Sequence, residues 1–117
     1  MSAETELYAA LTGSAGLTAL VADRIYPDAI PENKQLPAVV YSLDGAPPSY
    51  GLGNEKHATP TQIKIVAWGT TRTAASAVGD EIALALIAID LPVDNRYSGF
   101  DAEVGEYADV TEITWWE

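Results

Sequence analysis

The sequence predicts an α+β domain: a small mixed or antiparallel sheet with helices packed on one face. Three observations carry that expectation. Alternating, β-branched and aromatic runs lie at residues 36–44 and 61–68, and a third closes the chain at 110–116. Between the last two stands a longer segment whose apolar residues recur at spacings of three and four. The chain has 117 residues, 48% of them hydrophobic and 20% charged. That is the size of one domain with a core of its own, so residues 1–117 are read as a single unit.

The elements follow in order. Ser2 is placed to cap a first helix, with Glu4 and Glu6 in its dipole-favoured first turn. Leu7, Ala10 and Leu11 share a face, and Gly13 is a natural stop. Ser14 opens a second short helix carrying Leu17, Leu20 and Val21. Pro27 forces Tyr26 out of helical space, so residues 23–27 are expected to be extended. In the strand at 36–44, Val39, Tyr41 and Leu43 alternate with Ala38, Val40 and Ser42. Residues 45–60 hold three of the nine glycines and three of the seven prolines, and are expected to form a mobile loop between strands.

In the strand at 61–68, Ile63, Ile65 and Ala67 point one way, and Gln62 and Lys64 the other. The helix expected over 71–89 carries the stripe Ala75, Val78, Ile82, Leu86 and Ile89. Gly79 inside it is expected to cost up to about 1 kcal/mol against alanine, and to allow close packing on the sheet. Asp90, Leu91 and Pro92 stop it. Residues 93–106 read as loop, with a short strand near Tyr97–Phe100, before the closing strand at 110–116.

Composition excludes several functions. Without cysteine there is no disulfide framework, thiolate metal site or thiol nucleophile. The acidic N-terminus lacks the features of a signal peptide, and the longest apolar run, Ile82 to Ile89, is too short to span a membrane. The protein is expected to be made and kept in the cytosol. Seventeen acids against six bases give a net charge of −11, and the bases are scattered. Tight DNA binding and adhesion to anionic membranes are therefore not expected.

No chemistry stands out. His57 is the only histidine and lies in the loop beside Glu55 and Lys56, with no serine elbow elsewhere to complete a triad. Gly51-Leu52-Gly53 lacks the rest of a phosphate loop. Asp94, Asp101, Glu103, Glu106 and Asp109 lack calcium-loop spacing and read as a solvated acidic stretch. Catalytic, metal and cofactor residues are thus expected to be none. A small hydrolase or ligand-binding domain using acids near 94–109 is the alternative from another class, and converging carboxylates in a pocket would favour it. The candidate residues are protein-contact residues: Tyr50, Leu52 and His57 on the loop, and Trp68, Trp115 and Trp116 on strands. Adjacent Trp115 and Trp116 must face opposite sides, in two-sided burial within the monomer or with one at an interface.

The segments Leu17-Thr18-Ala19-Leu20-Val21-Ala22-Asp23-Arg24-Ile25-Tyr26-Pro27 and Leu36-Pro37-Ala38-Val39-Val40-Tyr41, the strand–helix unit from Gln62 to Ile89, and the aromatic-rich closing strand occur together in this order. In this the chain resembles the tail-completion, or head–tail joining, proteins of long-tailed bacteriophages and prophages. Gly105-Glu106-Tyr107-Ala108-Asp109 is more acidic than that family suggests. The resemblance implies a non-enzymatic virion protein of the tail or neck, forming a ring, commonly a hexamer, at the head-proximal end of the tail tube. Its implied partners are further copies of itself, the major tail tube protein and a head–tail connector or stopper protein. A head-side connector or stopper is the nearest alternative reading. The resemblance also gives the acidity a purpose: an acidic lining lets DNA pass without being held.

Overall fold

The computed structural model describes residues 3–29, 35–43, 60–102 and 105–116, the side chains at 3, 4, 60 and 116 aside. Three helices, α1 (Ala3–Thr12), α2 (Ala15–Val21) and α3 (Arg72–Ala88), accompany five strands: β1 (Ile25–Pro27), β2 (Ala38–Leu43), β3 (Pro60–Gly69), β4 (Asn95–Asp101) and β5 (Glu106–Trp116). The sheet order is β1-β2-β3-β5-β4. β1 runs parallel to β2, and every other pairing is antiparallel. The expected α+β fold with a mixed sheet is the observed one.

Capping chemistry sets the helix boundaries. The Ser14 hydroxyl accepts from the Leu17 amide at 3.3 Å, and that of Thr71 from the Ala74 amide at 3.1 Å. α3 ends in a Schellman arrangement: the Asp90 amide donates to Ile87 and the Leu91 amide to Leu86, both at 3.0 Å. Asp90 holds the left-handed φ of 58° that this turn requires, so it ends the helix where glycine is more usual. Ser2, the expected cap of α1, lies outside the described residues, as do residues 44–59 of the expected inter-strand loop.

The core lies between the helices and one sheet face. Leu7 and Leu11 of α1, Leu17 and Val21 of α2, and Val78, Ile82 and Leu86 of α3 meet Ile25, Val39, Tyr41, Ile63, Ile65 and Ile113. Each fully buried aliphatic chain contributes about 1.5–3 kcal/mol. The stripe expected on α3 is therefore its core face, apart from Ile89, which is 42% exposed.

Two expectations on the C-terminal side are corrected. Residues 93–106 are not mainly loop: β4 pairs with β5 along its whole length, and β5 begins at Glu106 instead of Val110. The short strand expected near Tyr97–Phe100 lies within β4, and its full extent is hidden in the sequence because nearly all of its residues are exposed, which removes the apolar alternation that marks a half-buried strand. Nor is Asp109 a solvated acid. It is 6% exposed, on the helix-covered face of β5.

Candidate assembly surface

The two sheet faces differ because side chains alternate along each strand. On the helix-covered face, α3 crosses β3 and β5 closely enough that a side chain at Gly79 would collide with them. A Cβ there would fall 2.6 Å from Asp109 Cγ and 2.8 Å from Arg96 Nη2. Under that glycine lies an ion clasp. Arg96 of β4 donates from Nε and Nη2 to the two carboxylate oxygens of Asp109, each at 2.9 Å. Nη2 also reaches Asp80 of α3 at 3.0 Å and the Ser76 carbonyl at 3.3 Å. Hydrogen bonding to Asp109 holds the Arg96 guanidinium well above its ordinary pKa, against the opposing effect of partial burial. The edge strand is thereby bolted to α3 by a planar fork that suits two carboxylates.

No described helix lies over the other face. Strand register places Tyr26, Val40, Val66, Val110 and Tyr97 in one row across all five strands. Beside it runs the row Ala38, Trp68, Ala108 and Gly99, in which small residues flank the indole. On the other side runs a polar row of Ser42, Lys64, Glu112 and Asn95. Val40, Val66 and Trp68 line an open hollow of about 330 Å³ whose other walls include Asp28, Asp101 and Glu106. An apolar floor ringed by carboxylates suits a protein surface that brings an apolar anchor and no unpaired negative charge.

The structure separates the candidate tryptophans. Trp68 stands half-buried on the uncovered face. Trp115 lies on the opposite face, partly buried against the core. Trp116 pairs through its backbone with Pro60, and its side chain lies outside the described residues, as do Tyr50, Leu52 and His57. Sequence reading missed the valine row and Tyr97. A signal was present: from Ile65 to Trp68 both alternating sets of β3 are apolar, which marks a strand with apolar surface on both sides.

The described acids of 94–109 are dispersed, and Glu103 lies outside the described residues. Asp94 accepts from the Thr114 hydroxyl, Asp109 is held by Arg96, and Asp101 and Glu106 are a cross-strand pair at the rim of the hollow. Among the described residues no group of three His, Cys, Asp or Glu side chains is placed to hold a metal. No described helix is long and apolar enough to cross a membrane.

The family model for tail completion protein gp17 matches residues 5–110. The chain belongs to that family. No curated protein matches it. Among solved structures it is similar to a chain from the virion of a native gene transfer agent particle, with a TM-score of 0.71 and 17% identity, covering 94% of this chain and 90% of that one. At that identity the likeness speaks for the fold. Family membership makes the protein a structural component of a phage tail, and the uncovered sheet face is its candidate assembly surface.

Proposed function

We propose that this tail-completion protein acts without catalysis, as a ring at the head-proximal end of the tail tube, where it ends tube growth and joins the tail to the head. The observation that carries the reading is the apolar row from Tyr26 to Tyr97 on a sheet face over which no described helix packs. Val40 and Val110 are already buried within the monomer, while Tyr97 is 44% exposed and Tyr26, Val66 and Trp68 are part-exposed, and these leave an apolar strip that a neighbour can cover. Its partners are further copies of itself, the tail tube protein on one side and a head-side connector or stopper protein on the other. The net charge of −11 suits a component that DNA must pass without being retained.

The test is complementation. Tails made without this protein should be abnormal in length and fail to join filled heads, and purified protein should restore joining. Val66→Asp, which places a charge in the middle of the row, should fold and not restore it. Normal tail length and normal joining in the absence of the protein would refute the reading.

A further inference from the structure

The outward side of α3 is the second unpartnered surface. A helix that covers a sheet has a polar outer face, yet α3, with the sequence RTAASAVGDEIALALIA, has only three charged residues in seventeen. Its charges are also unusually quiet. Asp80 is tied to Arg96 at 3.0 Å, and Glu81 is half-buried. The outward positions at helical spacing include Ala77, Leu84, Ile87 and Ala88, and Leu84 and Ile87 are 58% and 64% exposed. Thr73 and Asp80 share that side, so the apolar outer surface is confined to the C-terminal half of α3, where exposed Leu84 and Ile87 form a patch that suits a partner.

We infer that Leu84 and Ile87 of one copy seat in the Val40–Val66–Trp68 hollow of the next, so that α3 of each subunit is sandwiched between its own sheet and the open sheet face of a neighbour. This rests on the ring reading and specifies its contact. Two features point to a second copy as the occupant. Knob and hollow lie on opposite sides of a two-layer molecule, which makes the contact head-to-tail and able to continue around a ring. Copies that each carry −11 repel unless they meet where unpaired acids are scarce, and the outer side of α3 is such a place.

The cysteine-free chain allows a direct test. Single variants Ile87→Cys and Val66→Cys are prepared separately, mixed at high salt to screen the repulsion, and treated with a short bis-maleimide. The expected product is an 87–66 adduct that forms only in the mixture. Adding Leu84→Glu to the Ile87→Cys chain should abolish it, while Ala9→Glu, an equal charge on exposed α1, should leave it intact. Monomer thermal unfolding should be unchanged in both, since neither position is buried. Abundant 87–87 or 66–66 adducts from single variants would show a two-fold contact and overturn the inference. So would wild-type-like oligomers formed by Leu84→Glu, which would leave the ring itself standing. Wild-type protein that remains monomeric at high salt and in purified tails would overturn the ring and this contact together.

Discussion

The two faces of one sheet follow different rules. On the face beneath the helices the central side chains are enclosed and even a carboxylate is buried, because Arg96 supplies a bidentate partner for Asp109, while Leu43 and Phe100 at its margins stay exposed. On the other face the same strands carry a valine row, an indole among small residues and a rim of acids, and no described helix packs there. The first face is specified by its own chain. The second is only partly enclosed: Ala38, Val40, Ala108 and Val110 are buried, whereas Tyr97 is exposed and Val66 and Trp68 are half-buried, which leaves apolar surface that suits a neighbour. Replacements on the first face should therefore be read out in the isolated monomer, and those on the second in assembly.

The largest effect is expected at the clasp. Arg96→Ala strips Asp109 of its bidentate partner and leaves a buried charge uncompensated, a loss of about 3–5 kcal/mol. Denaturant unfolding of the monomer measures it. A loss below about 1 kcal/mol would mean that water reaches Asp109 and that the helix-covered face is less closed than its burial indicates. Next comes Ile82→Ala in the middle of the core stripe, expected at about 2–5 kcal/mol by lost burial and a residual cavity. Gly79→Ala sets two terms against each other. Alanine should favour the helix by up to about 1 kcal/mol, but its methyl must displace the Asp109 carboxylate and the Arg96 guanidinium, a packing strain of about 1–3 kcal/mol. Net destabilisation is expected, and net stabilisation would show that the clasp yields.

How much of this was legible beforehand follows the same division. β2, β3, α3 and the closing strand were readable because their apolar residues keep a strict period against a covered face. Gly79 was read as a point of close packing, and the structure places the Asp109–Arg96 pair directly beneath it. The clasp itself was not legible. Its partners are thirteen residues apart on adjacent strands, and both fall outside the expected strands near 97–100 and at 110–116, so Asp109 passed for one more solvated acid. The candidate assembly surface was half legible. Trp68 was singled out, but the valine row exists only in the strand register, which brings together Val40, Val66 and Val110 from three separate strands. β1, only three residues long and parallel to β2, was legible as an extended segment because Pro27 excludes helix, not because its pattern named a partner.

Thr111 offers a smaller effect of opposite sign. It is fully buried on the helix-covered face, and its hydroxyl has no hydrogen-bond partner. Thr111→Val keeps the shape and the β-branching while removing a desolvated hydroxyl, so a gain of about 1 kcal/mol is expected in monomer stability. A loss instead would show that the hydroxyl is satisfied in solution, by a bound water for instance.

The smallest expected change in stability is that of Val66→Thr, and set beside Ile65→Thr it tests the comparison most directly. Ile65 and Val66 are adjacent in sequence, share one strand and point to opposite faces. Ile65 is 0% exposed beneath the helices, while Val66 lies half-buried in the middle of the uncovered row. Threonine preserves β-propensity at both positions, so the difference between Ile65→Thr and Val66→Thr isolates what covers each side chain. Ile65→Thr removes a methylene and buries a hydroxyl, which should destabilise the monomer by about 2–3 kcal/mol. Val66→Thr is a near-isosteric change at a site where water can solvate the hydroxyl, and should shift stability by no more than about 0.5 kcal/mol. In assembled tails the order should reverse. A hydroxyl in the apolar row would be desolvated when a neighbour seats on it, so Val66→Thr should weaken subunit association and head joining, while Ile65→Thr that has folded should join normally. Equal losses of monomer stability at the two positions would mean that both faces of the sheet are covered within a single chain, and the uncovered face would no longer serve as the assembly surface.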